Sequence, residues 1–240
     1  MGAACVRLLL KEGAARVAIL DYNEETGNKM ASEWGDQVLF LKTDVSQDDD
    51  VKSVVNTVAE KWGDMHIVIN CAGIGSGNGN KVISRKKMTY DAFAWVININ
   101  LIGTMNIIRH TADKMINNQA TNEDGEKGVV INTASIAAFE GQVGEAAYSA
   151  SKSGIVGMTL PLAREFAVYG IRVMTIAPGT FKTPMMAGLP EAAQKALVAS
   201  TPFPKRPGKP EEFAALAKNI IENSMFNGET IRLDGAVRLA

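Results

Sequence analysis

Tyr148-Ser-Ala-Ser-Lys152 sets a phenol and an ammonium four residues apart. On a helix, positions i and i+4 share a face, so both groups can enter one site. A free phenol, with a pKa of about 10, is a poor base at neutral pH. A nearby cation favours the phenolate and brings it toward working pH. The spacing alone also suits a solvated helix face. Ser135, 13 residues before Tyr148, adds a hydroxyl that can donate to a substrate oxygen beside the phenol. Its alternative role is a turn or helix cap. Asp21 closes another short apolar run, where a carboxylate can accept hydrogen bonds from both ribose hydroxyls of NAD and repels a 2′-phosphate. The next residues, Tyr22 and Asn23, offer no cation for such a phosphate.

These residues need elements to position them. Residues 16–20, 37–41, 66–70, 129–133, 171–176 and 229–233 are short, β-branched and bounded by polar or glycine positions, as buried strands are. Helical segments are expected between them at 3–12, 24–34, 48–62, 89–117, 147–168 and 210–222. Gly13, Gly35, Gly63 and Gly170 stand where helices stop, and Pro210 opens the last helix. Ser46 precedes a helix with acids in its first turn, and Thr89 suits the cap of the long one. Strand and helix alternating without a break predict a single doubly wound, Rossmann-like α/β domain over residues 1–240, with a parallel sheet covered on both faces. Ser135 then lies at the carboxyl edge of that sheet, where ligands bind. Residues 117–128 are expected to form a polar, exposed excursion, and 73–87 a glycine-rich loop with a basic run.

The composition excludes other classes. The chain has 240 residues, is 46% hydrophobic and 21% charged, and carries a net charge of −1. That is neither a disordered chain nor a strongly basic nucleic-acid binder. No uninterrupted apolar run approaches the roughly 20 residues of a membrane span, and no signal peptide is visible. Cys5 and Cys71 form no CxxC, and two free thiols lead us to expect a reducing, cytoplasmic setting. His66 and His110 lie far apart without a ligand set, so no metal site is expected.

The serine, tyrosine and lysine at these spacings resemble the short-chain dehydrogenase/reductase family. Further segments agree. Asn70-Cys71-Ala72-Gly73 is similar to the family's NNAG turn, and Asn98-Ile99-Asn100-Leu101 to the segment carrying its fourth catalytic residue, here Asn100. Asp44-Val45 resembles the adenine contact, Pro178-Gly179 with Thr183 the turn that meets the nicotinamide amide, and Leu233-Asp234-Gly235 the final strand motif. The resemblance covers essentially the whole chain. It implies catalytic roles for Asn100, Ser135, Tyr148 and Lys152. It implies cofactor contacts from Gly2, Asp21, Asp44, Val45, Asn70, Ala72, Gly73, Tyr148, Lys152, Pro178, Gly179 and Thr183. Asn100 would hold a water that relays protons through Lys152, and Lys152 would lower the tyrosine pKa and hold the ribose.

Within that family, Asn132 to Glu145, the stretch around Tyr148 and the tail at 220–239 resemble the type II 3-hydroxyacyl-CoA dehydrogenases. That group oxidises 3-hydroxyacyl-CoA with NAD, and some members accept steroids. The resemblance implies a substrate-side role for Gln142 with Ser135 and Tyr148, and a loop like 117–128. Met185, Met186, Leu189 and Phe203 suit a lid, at about 180–208, over an acyl chain. Lys81, Arg85, Lys86 and Lys87 could meet coenzyme A phosphates. A homotetramer is implied, built through the Asn100 and Tyr148 helices, where Gly154 and Gly157 would permit close packing. The competing readings are an NADPH-dependent 3-oxoacyl-carrier-protein reductase, which Asp21 opposes, and a non-catalytic scaffold, which the intact catalytic residues oppose. One feature departs from the pattern: residues 3–9 already read as the first helix, with Gly2 as the last glycine of a phosphate turn. A central strand and a glycine-rich turn, about 15–20 residues, are therefore expected ahead of Met1. A chain lacking them is expected to be unstable and to bind NAD poorly.

Overall fold

The computed structural model describes residues 1–75, 81–84 and 87–239. Six strands lie among them: β1 (Val17–Asp21), β2 (Val38–Lys42), β3 (Ile67–Asn70), β4 (Gly128–Thr133), β5 (Ile171–Pro178) and β6 (Thr230–Leu233). Every pairing is parallel. They form two sheets, β1-β2 and β3-β4-β5-β6. Alternation expects one continuous sheet; the described strands pair instead as two.

β4 and β5 are buried along their whole length, so their sequences are continuous apolar runs rather than alternating ones. Successive side chains still point to opposite faces. Val129 and Ile131 pack with Cys5 of α1 (Gly2–Lys11) and Phe213, Ala217 and Ile220 of α9 (Pro210–Glu222). Val130 and Val173 pack on the other face with Ile108, Met115, Leu162 and Phe166. Those residues belong to α5 (Gly103–Met115) and α6 (Ala146–Ala167). The smaller sheet is covered by α2 (Glu24–Trp34), while α3 (Asp48–Trp62) packs Val51 and Val55 against Val45 and Ile107.

The long helix starts as expected: the Thr89 hydroxyl accepts from the Ala92 N–H at 3.1 Å and caps α4 (Tyr90–Ile97). Its middle is a π-helical segment, Asn98–Ile102, before α5 continues to Met115. By length and composition the continuous run Tyr90–Met115 could cross a membrane, but it also carries Asp91, Asn100, Asn106 and Arg109. Ser46 does not cap α3; Gln47 holds that position without a side-chain hydrogen bond, and the Ser46 hydroxyl donates to Asp44 instead. The 117–128 excursion is exposed over most of its length, at 117 and 119–124, and is anchored at both ends. Asn118 donates to the Met65 and Lys127 carbonyls, and Glu126 pairs with buried Arg172 at 2.8 Å.

Ile155 of α6, 1% exposed, packs with Ala134 and Ala177 and so fixes the helix over the ends of β4 and β5. Ile155→Ala should cost roughly 2–5 kcal/mol, read as a lower urea midpoint at unchanged slope. A loss below about 1 kcal/mol would mean that this contact does not anchor the helix.

Candidate active site

β4 ends at Thr133, and the chain turns at once into a short 3₁₀ segment, Ile136–Ala138. Ser135 caps that turn, its hydroxyl accepting from the Ala137 N–H at 3.2 Å. The alternative role as a cap is therefore real, and the same hydroxyl also acts on the Tyr148 phenol. Burial pushes the Tyr148 phenol up from its ordinary value, and the Ser135 hydroxyl draws it partly back.

Lys152 is 4% exposed, and its Nζ donates to the Thr133 carbonyl at 2.8 Å. Burial lowers its pKa to about 8. The ammonium stands over the Tyr148 ring, 5.7 Å from the centroid. In this arrangement burial is the largest influence on the phenol.

Asn100 lies in the π-helical segment and is fully buried. Its Oδ1 accepts from the Ile74 N–H at 2.8 Å, and its Nδ2 donates to the Ile74 carbonyl at 2.9 Å and to Ser151 Oγ at 3.1 Å. A π-bulge widens the helix and often marks a functional position. A Cβ on Gly73 would stand 3.2 Å from Asn100 Oδ1 and 3.4 Å from Lys152 Nζ. Glycine at this position leaves the turn after β3 uncrowded against the Asn100 side chain.

Most of the expected cofactor residues lie at or just after the carboxyl ends of strands in the two sheets. Asn70 donates to Asn132 at 2.9 Å, tying the ends of β3 and β4 together, with Cys71 and Ala72 leading to Gly73. Gly2 opens α1 beside this turn; its Cβ would meet Cys71 Cβ at 3.4 Å. Asp21 ends β1, exposed, its carboxylate accepting from the Asn23 N–H at 2.9 Å. Lys42, its register neighbour, pairs with Glu24 instead, so no described cation bonds Asp21. Asp44 accepts from the Ser46 N–H and hydroxyl, and the Val45 carbonyl accepts from Asn106. Asp21 and the turn at 70–73 both lie at the carboxyl ends of parallel strands, where ligands bind in such folds. This placement fits a dinucleotide.

At β5, Gly179 donates to the Leu233 carbonyl at 2.9 Å, and a Cβ there would strike Asp234 at 2.8 Å. The Pro178-Gly179 and Leu233-Asp234-Gly235 motifs are therefore one packed corner. Thr183 caps α7 (Pro184–Ala187) by accepting from Met186. The lid region also holds α8 (Glu191–Ala199), which hydrophobic patterning missed. Met185, Leu189 and Phe203 are exposed rather than core, and Met185 Sδ lies 3.9 Å from a Cβ position on Gly75. The Gln142 N–H donates to Glu145. Lys81 and Lys87 are exposed; Arg85 and Lys86 lie outside the described residues.

Two functional contacts escape sequence reasoning. The Thr133 carbonyl is backbone and leaves no residue signature. Glu140, between Ser135 and Tyr148, forms a bidentate pair with Arg232 at 2.8 and 3.1 Å. Arg232 also donates to Asp234, so the final strand fixes the catalytic loop.

A doubly wound sheet with serine, tyrosine and lysine gathered at one strand end defines a nicotinamide-dependent oxidoreductase site. Residues 1–194 match the family model for short chain dehydrogenase, and the chain belongs to that family. It is 48% identical over 240 residues to the "3-hydroxyacyl-CoA dehydrogenase type-2" of Bos taurus, covering 100% of this chain and 91% of the relative. It is 46% identical over 243 residues to the Drosophila melanogaster protein of the same name, covering 100% and 93%. The crystal structure of 3-hydroxyacyl-CoA dehydrogenase type-2 from Mycobacterium avium superposes with a TM-score of 0.90 at 38% identity, covering 100% of this chain and 92% of that one.

Protonation removes the proton-accepting state of the Lys152–Tyr148 pair. Because Tyr148 accepts a proton only as the phenolate and burial raises its pKa, kcat/KM for alcohol oxidation should rise with pH across the neutral range. Lys152→Arg, whose guanidinium stays charged, should displace that limb. A rate unchanged across neutral pH would contradict the assignment.

Proposed function

We propose that this chain is an NAD-dependent dehydrogenase interconverting 3-hydroxyacyl-CoA and 3-oxoacyl-CoA, within fatty acid metabolism. The meeting of Ser135, Tyr148 and Lys152 at the end of β4 carries the reaction type. Full-length likeness to 3-hydroxyacyl-CoA dehydrogenases supports the substrate class. When bound, NAD supplies the hydride acceptor.

The protein's own part is proton handling and orientation. Tyr148 takes the hydroxyl proton of the substrate. Ser135 donates to the same oxygen and stabilises charge that develops there. Lys152 and Asn100 connect this site to the turn after β3, the route along which the proton leaves. Asp21, exposed and without a bonded cation, favours the two ribose hydroxyls of NAD over a 2′-phosphate. Met185 and Leu189 suit the cover of an acyl chain, and Lys81 and Lys87 the coenzyme A phosphates. The unpaired thiols favour a reducing compartment such as the cytosol.

We extend the proposal to a homotetramer. Tyr90, Trp95, Ile102 and Leu160 are exposed apolar residues on the two helices expected to pair. Of the two glycines, Gly157 has open space around it, whereas Gly154 receives Leu101 of its own chain at 2.7 Å.

A panel of 3-hydroxyacyl-CoA thioesters tested with NAD and NADP should show turnover with NAD preferred. Asp21→Ala combined with Tyr22→Arg should weaken NAD use and admit NADP. Preference of the parent for NADP, or inactivity on every thioester, would overturn this reading. Light scattering at micromolar concentration should give about four times 25.7 kDa, and a mass of 25.7 kDa would refute the tetramer.

A further inference from the structure

We propose that Cys5 and Cys71 form a reversible oxidation site, at which a hydroperoxide converts two adjacent thiols to an intramolecular disulfide. The two residues lie 66 positions apart in sequence but meet where α1 begins beside the end of β3. Cys71 packs against the buried cluster that holds Cys5, and the two thiols perturb each other's acidity. Gly2, one turn before Cys5, brings the helix close: a Cβ there would stand 3.4 Å from Cys71 Cβ and 3.8 Å from its sulfur.

The two sulfurs differ in environment. Cys5 is buried, whereas Cys71 is partly exposed and within reach of a small oxidant. Cys71 Sγ also accepts from the Thr133 hydroxyl at 3.7 Å. The neighbouring Cys5 thiol lowers the Cys71 pKa, and the same proximity raises that of Cys5. Cys71 is thus the attacking thiolate and Cys5 the resolving thiol.

The chemistry balances. The Cys71 sulfur attacks one peroxide oxygen and the O–O bond breaks. The sulfur becomes a sulfenic acid, while the departing oxygen takes a proton and leaves as water or an alcohol. The Cys5 sulfur then attacks the Cys71 sulfur. The S–S bond forms, the S–O bond breaks, and a second water leaves with the Cys5 proton. The two sulfurs lose two electrons and the peroxide gains them. A resolving thiol already in contact captures the sulfenic acid before a second peroxide can carry it to sulfinic acid. The product joins the first turn of α1 to the turn that leads through Gly73 to Asn100 and Lys152.

The full chain, dilute and reduced, is treated with hydrogen peroxide, alkylated, digested and weighed by mass spectrometry. The expected result is joint loss of both thiols, with one Cys5–Cys71 peptide lighter by two hydrogens and restored by dithiothreitol. In Cys5→Ser, Cys71 should instead be captured by dimedone as a sulfenic acid. Disulfides between chains, sulfinic or sulfonic acid on Cys71 with Cys5 still alkylatable, or two unmodified thiols would overturn the proposal.

Discussion

The site depends on one buried cation. Lys152 carries its ammonium into an interior where an unpaired charge costs several kcal/mol, and the protein answers with the Thr133 carbonyl at 2.8 Å. That carbonyl is free to accept because Thr133 is the last residue of β4. The strand must therefore end there, and α6 must cross that end in one register. Burial of Ile155 between Ala134 and Ala177 sets the crossing. The same desolvation that makes the lysine expensive brings its pKa to about 8, where proton transfer near neutral pH is possible.

Other features protect this placement. Asn100 closes a backbone pair with Ile74 and reaches Ser151, the neighbour of Lys152 on α6, so the turn after β3 and the catalytic helix cannot drift apart. The π-helical segment supplies the change in helix phase at that asparagine. From the far end of the chain, Arg232 grips Glu140 and so holds the loop that joins Ser135 to Tyr148. Partly buried and bidentate, such a pair fixes geometry more than it adds stability.

Much of this was legible in the sequence because it rests on local rules. All six strand positions follow from short β-branched runs, and α2, α3 and α9 begin and end at Glu24–Trp34, Asp48–Trp62 and Pro210–Glu222 as expected. Ser135, Tyr148 and Lys152 were visible through spacing. What escaped depends on long-range packing or on backbone atoms. The Thr133 carbonyl, the Glu140–Arg232 pair and the Cys5–Cys71 contact join residues whose neighbourhood no local pattern records. The division of the strands into two sheets is likewise a property of pairing. The close approach of Leu101 to Gly154 is equally hidden, because a small residue on a helix looks the same whether it admits another chain or a side chain of its own.

The central claim is that Tyr148 exchanges the substrate proton, while Asp21 and the turn at 70–73 hold the cofactor. Turnover and NAD binding of Tyr148→Phe, measured side by side with the parent, test it directly. The account predicts unchanged NAD affinity with turnover lower by roughly 10²–10⁴-fold, the usual contribution of a general acid–base group. Turnover within about threefold of the parent would contradict it, because a phenyl ring at that position can neither take nor return the proton.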